Sequence, residues 1–162
     1  MAVGAVQLPA RIRPRSRIDD EMRTARTCYD HVAGRLGVGL MDALTGLGHI
    51  VLAEDGGEVI EDGQAFLAAF GVELAKAKNP RRAFCRPCLD WSERRWHIAG
   101  AVSAALCKRL LELRWIESRP NTRALTITNR GQSGFAETFG LRLCEERGAD
   151  VDASANRQCF VK

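Results

Sequence analysis

An internal repeat at an offset of 66 residues constrains this chain more than any other feature. His31-Val32-Ala33-Gly34 returns as His97-Ile98-Ala99-Gly100, and the apolar positions Leu36, Leu40, Leu44, Leu47 and Ile50 return as Val102, Leu106, Leu110, Leu113 and Ile116. Seven positions are identical between 31–50 and 97–116, where average residue usage would give roughly one or two. Further on the match resumes after a small gap: Gly63-Gln64 and Phe70-Gly71-Val72-Glu73-Leu74 correspond to Gly131-Gln132 and Phe139-Gly140-Leu141-Arg142-Leu143. The repeated unit is the whole of about 50 residues.

Each copy carries the same local logic. Apolar residues three and four apart predict an amphipathic helix, which in the first copy ends near Gly48. A β-hairpin should follow. In the first copy Ile50-Val51-Leu52 and Val59-Ile60 flank Asp55-Gly56-Gly57; in the second, Trp115-Ile116-Glu117 and Ala124 to Thr128 flank Arg119-Pro120-Asn121-Thr122. A shorter helix, over 62–70 and 130–139, closes each copy. Helix, two-stranded wing and helix form the rear half of a winged-helix module. The expected fold is therefore α+β and helix-rich, with two winged-helix-like repeats related by a pseudo-twofold axis. The small residues Ala33, Gly34, Gly37 and Gly39, with Ala99, Gly100, Ser103, Ala104 and Ala105, suit close helix approach. The expected organisation is a flexible basic arm (1–19), a first repeat (20–75), a second repeat (76–143) and a mobile tail (144–162) whose Cys159 is exposed and prone to oxidation.

Composition sets the compartment. With 162 residues, 46% of them hydrophobic and 27% charged, the chain can bury a real core. Its longest nearly charge-free apolar run, His97 to Cys107, is far short of a membrane span of about 18–20 residues, and no apolar signal core follows the start. A cytoplasmic protein with no membrane association is expected. Six cysteines without a secretion signal then point to reduced thiols rather than a disulfide scaffold.

Placed along the chain, charge becomes informative. Residues 1–17 hold Arg11, Arg13, Arg15 and Arg17 and no acid, so the formal net charge of +4 is a property of this arm, where Pro9 and Pro14 break any helix. From Asp20 to Leu74 ten acids face three arginines, whereas from Lys76 to Leu143 fourteen basic residues face five acids. The first wing, Glu54-Asp55-Gly56-Gly57-Glu58, is acidic and the second is basic. Such asymmetry favours an anionic partner or head-to-tail pairing of two faces.

Chemical motifs are few. Cys85-Arg86-Pro87-Cys88 has the C-x-x-C spacing that lets two thiolates chelate one metal, and Cys28-x-x-His31 falls at i,i+3 on what reads as a helix. Together Cys85, Cys88, Cys28 and His31 would supply four ligands for zinc or another thiophilic metal. Packing explains these residues more economically, because His31 and His97 occupy equivalent repeat positions. No cofactor is required by the sequence. An enzyme is not expected: Gly131-Gln132-Ser133-Gly134 is not a nucleophile elbow, Ser92 and His97 point to different sides of one predicted helix, and no phosphate-binding glycine loop occurs.

The residues also carry a family resemblance. Ala25-Arg26-Thr27-Cys28-Tyr29-Asp30-His31-Val32-Ala33-Gly34 and Cys88-Leu89-Asp90-Trp91-Ser92-Glu93-Arg94-Arg95-Trp96-His97-Ile98-Ala99-Gly100 resemble the two signature segments in the C-terminal half of the longer ArsR-type winged helix-turn-helix transcriptional regulators, with Trp96 standing where that pattern has proline. The match spans about residues 24–143. It implies transcription control by a homodimer, either as an ArsR-like DNA-binding regulator or as the C-terminal sensory and dimerisation region of one, without the family's N-terminal DNA-reading domain. Any DNA contact should then fall to the second unit and the arm, since the acidic wing repels phosphates. Arg119 and Arg123 flank the second wing's turn, Arg130 lies at the entrance to the following helix, and Arg94, Arg95, Lys108 and Arg109 extend the patch. The alternative is a metal-binding or small-molecule-binding module with no direct DNA contact.

Overall fold

The computed structural model describes residues 17–53 and 56–143. The arm up to residue 16, wing residues 54 and 55, and the tail 144–162 with Cys159 lie outside the described residues. In chain order the elements are α1 (Arg17–Thr24), β1 (Arg26–Cys28), β2 (His31–Ala33), α2 (Gly34–Gly46), β3 (Ile50–Ala53), β4 (Gly56–Val59), α3 (Glu61–Ala69) and α4 (Leu74–Ala77), followed by β5 (Arg86–Leu89), β6 (Trp96–Ala99), α5 (Ala101–Glu112), β7 (Ile116–Ser118), β8 (Leu125–Ile127) and α6 (Asn129–Phe139). The fold is mixed α+β. Its strands pair as separate two-stranded antiparallel hairpins: β1 with β2, β3 with β4, β5 with β6 and β7 with β8. The order hairpin, helix, hairpin, helix thus occurs twice.

Two segments that read as helices are hairpins. Cys28 and His31 are not stacked at i,i+3 but face each other across β1 and β2, joined by a tight turn in which Tyr29 adopts φ +56°. The β-branched pair Thr27 and Val32 supports this register. Likewise Ser92 lies in the turn region and His97 on β6, so the two do not share a helix. Pro87, inside β5, would break a helix interior. Both hairpins run straight into a long helix, and the junction is a glycine in each case. Gly34 and Gly100 take φ +78° and +96°, and a Cβ there would meet the carbonyl oxygens of Arg23 and Ala83 at 2.5 and 2.7 Å.

The long helices form the core. Leu36, Leu40 and Leu44 of α2 and Val102, Leu106 and Leu110 of α5 are buried in one cluster with Ile50, Ile116, Leu67 and Phe135. Within it, Trp115 meets Phe135 and Phe139 edge to face, and Phe70, packed against the cluster, meets Trp115 and Phe139 the same way. The two wings are fixed by the same backbone bonds. His49 N donates to Leu44 O and Ile60 N to His49 O (2.9 and 3.1 Å); Trp115 N donates to Leu110 O and Thr128 N to Trp115 O (3.0 and 3.1 Å). The halves interlock, because α2 packs on β6 and α5 packs on β2. Thr27 N also donates to Arg123 O and Leu125 N to Ala25 O, both at 2.9 Å, so the second wing runs along the edge of β1.

This packing generates two expected outcomes. Leu106→Ala should lower the unfolding free energy by about 2–5 kcal/mol in urea denaturation, through lost burial and a residual cavity. Gly131→Ala, which helix propensity alone would favour, should instead destabilise by about 1–3 kcal/mol, since the added Cβ would lie 2.1 Å from Trp115 O. A neutral or stabilising result would mean that α6 does not sit this close to β7.

Candidate metal centre and basic surface

The β1–β2 and β5–β6 hairpins each carry one cysteine opposite one histidine: Cys28 pairs with His31, and Cys88 with His97. The interlocked halves bring the two pairs together. One ligand atom from each of Cys28, His31, Cys88 and His97 falls in a group whose members all lie within 4.8 Å of one another. The histidine Nε2 atoms are 3.1 Å apart, both rings are buried and both cysteines are half-buried. Two thiols and two imidazoles are the donor set of closed tetrahedral zinc sites.

Behind this group stands Asp90, fully buried at the end of β5. Its Oδ1 accepts hydrogen bonds from Arg26 Nη2 (2.9 Å), Ser92 N (2.9 Å), Ser92 Oγ (2.7 Å) and Glu93 N (3.1 Å). Its Oδ2 accepts from Gly34 N at 2.7 Å, pairing one of the amides at the start of α2 that have no intrahelical partner, where Ala33 offers no side-chain cap. Burial pushes the Asp90 carboxyl up, but these donors outweigh it and hold the group well below the usual carboxylate range. Arg26, equally buried, also donates to Met22 O and Ser92 Oγ, both at 3.0 Å, and its guanidinium lies 4.4 Å from the Trp91 ring centre.

Each imidazole turns Nδ1 away from the cluster and toward a carboxylate. His97 Nδ1 lies 3.2 Å from Asp90 Oδ2, and His31 Nδ1 lies 3.6 Å from Asp30 Oδ1. Burial lowers the basicity of both rings, that of His97 to about 4 with the neighbouring His31 adding to the effect. Burial raises the Cys88 thiol, and the adjacent Cys28 sulfur raises it further.

Three of the four sequence-derived ligands, Cys28, His31 and Cys88, are in the cluster, and Cys85 is not. On an extended segment residues three apart face opposite ways. Cys85 accordingly points into the core toward Gly57, where a Cβ would lie 3.0 Å from its sulfur, and burial pushes its thiol up to about 11. His97 takes its place. The signal that pointed to it was the equivalence of His31 and His97 in the repeat. Asp90 and Arg26 carried no signal of their own, because their meeting depends on the interlock.

The basic residues of the second half are dispersed in their engagements. Arg119 pairs with Glu21, and Arg95 pairs with Asp42 at 2.8 Å. Lys108 lies 3.8 Å from Glu112, while Arg109 donates through Nε to Phe70 O at 2.9 Å and so ties α5 to the end of α3. Arg94, Arg123 and Arg130 are exposed and have no ion-pair partner among the described residues. No helix among the described residues is long and apolar enough to cross a membrane.

The buried Asp90 hub separates two classes of charge. Asp90→Ala should cost about 3–5 kcal/mol of unfolding free energy, since it leaves the Arg26 guanidinium buried without its counter-ion. Asp42→Ala, which removes an exposed partner of Arg95, should cost less than about 1 kcal/mol. Equal costs for the two in chemical denaturation would place Asp90 outside the core.

Comparison with known proteins finds a relative named as a regulator of transcription. Over 123 residues the chain is 42% identical to the uncharacterised HTH-type transcriptional regulator YdfF of Bacillus subtilis (strain 168), a match that covers 76% of this chain and 54% of the relative. No family model and no solved structure matches. The chain thus spans about half the length of the curated relative it matches, and what it is similar to is a protein named as a helix-turn-helix regulator of transcription.

Proposed function

We propose that this chain acts in transcription control, as the C-terminal sensory and dimerisation region of an ArsR-like regulator. The observation that carries the reading is the 42% identity, over three quarters of the chain, to a protein named as a helix-turn-helix transcriptional regulator. The fold supports it in kind. The hairpin–helix–hairpin–helix order occurs twice, and the wing bonds at His49 and Trp115 recur at the repeat offset, as two winged-helix-like repeats (20–75 and 76–143) about a pseudo-twofold axis require. The role is binding rather than catalysis, in the cytoplasm and as a homodimer.

Direct DNA contact belongs to the second repeat in this reading. Arg119, Arg123, Arg130, Arg94, Arg95, Lys108 and Arg109 form its basic set. Those without a protein partner among the described residues, Arg94, Arg123 and Arg130, are the free charges for phosphates. Phosphate contacts position a protein without reading bases, and each one adds about one unit to the slope of log affinity against log salt. The Arg123→Ala, Arg130→Ala double variant should therefore bind any mixed-sequence duplex more weakly and lower that slope by about two. Titration of duplex at two salt concentrations measures both quantities. Unchanged affinity and slope, or no binding by the intact chain at low salt, would contradict direct contact and favour a module that acts without touching DNA.

A further inference from the structure

We propose that Cys28, His31, Cys88 and His97 together bind one zinc ion, held jointly by a hairpin from each half of the chain. The geometry carries this. Zinc bonds of about 2.0–2.1 Å to nitrogen and 2.3 Å to sulfur, arranged tetrahedrally, set the ligand atoms about 3.3–3.8 Å apart. Here the two Nε2 atoms are 3.1 Å apart and all four ligand atoms fall within 4.8 Å of one another. Closing the shell asks the widest-spaced pair to approach by about 1 Å.

Orientation is the second argument. Carboxylates at Nδ1 favour the tautomer with the proton on Nδ1 and the lone pair on Nε2, the outer arrangement found behind metal-bound histidines. In His97 and His31 those carboxylates are Asp90 and Asp30, at 3.2 and 3.6 Å. With both rings in that tautomer the two Nε2 lone pairs face each other at 3.1 Å, a spacing that a proton on one ring or a shared cation accommodates, and a cation serves both lone pairs at once. Neither Nδ1 makes an aligned hydrogen bond, so the carboxylates bias the tautomer through their charge at these distances.

Chemistry selects the ion. Thiolate and imidazole donors suit zinc and disfavour magnesium and calcium, which take oxygen ligands. Four protein donors leave no open position for a substrate, so the ion is structural or regulatory. On binding, the two thiols release their protons to solvent, the zinc ion sheds its bound waters as two Zn–S and two Zn–N bonds form, and no oxidation state changes. Since the ligands come from both halves, the ion clasps β1–β2 to β5–β6, and loading is coupled to the stability of the whole domain. None of this depends on contact with DNA.

The test uses the full chain, stripped of metal and titrated first with Co(II) and then with Zn(II). One equivalent of Co(II) should give the intense visible bands of a tetrahedral site and a near-ultraviolet thiolate band, and zinc should abolish both. Saturating zinc should raise the thermal midpoint by about 10 °C. Cys28→Ser with Cys88→Ser should abolish binding, whereas Cys85→Ala should retain it. Weak octahedral bands, absence of the thiolate band, or full binding by the double serine variant would overturn the site. Should that variant fail to fold by circular dichroism, the spectrum of the unmodified chain decides alone.

Discussion

The fold depends on one buried carboxylate. A charged group with the full burial of Asp90 is tenable only if its lone pairs are filled, and here the donors come from three separate stretches of chain. Arg26 is 64 residues away and Gly34 is 56, while Ser92 and Glu93 are local. A single side chain thereby closes the β5–β6 loop, starts α2, neutralises β1's arginine and stands beside His97. The first half draws on the second for this form, because the helix start at Gly34 has no side-chain cap of its own and takes its acceptor from Asp90.

The same dependence shows in the sheets. Two-stranded hairpins are marginal by themselves, and the chain contains four of them among its described residues. They are stabilised by exchange: α2 covers β6, α5 covers β2, and the second wing bonds along β1. A repeat that folded as two separate copies would leave β1 and the hairpin faces uncovered. Interlocking also explains why a cysteine–histidine pair on each hairpin ends in one cluster rather than two.

Much of this was legible in the residues. Leucines at three and four, followed by turn formers and β-branched runs, placed α2, α5, α6 and both wings, because each of those elements is specified by a local pattern. Cys28–His31 and Ser92–His97 read as helical from their sequence, yet both lie in short hairpins that run into long helices. Their pairing is fixed by Tyr29 in a left-handed turn and by Asp90, neither of which has a periodic signature. The difference conceals the site in part. On a helix Cys28 and His31 share a face; on strands they are cross-strand neighbours, and Cys85 turns inward while His97 turns toward His31. Cys28, His31 and Cys88 were visible as ligand types, whereas their grouping with His97 is a tertiary fact.

A two-thiol, two-imidazole cluster lies where one hairpin from each half meets the other, beside the buried Asp90. The claim beneath this account is that Arg26 and Asp90 act as one buried unit joining the halves. A double-mutant cycle on unfolding free energy, with Arg26→Met, Asp90→Asn and the pair, measures that coupling directly. The account predicts a coupling of about 2–3 kcal/mol, with the double variant far less damaged than the two single costs would sum to. Additivity to within about 0.5 kcal/mol would contradict it.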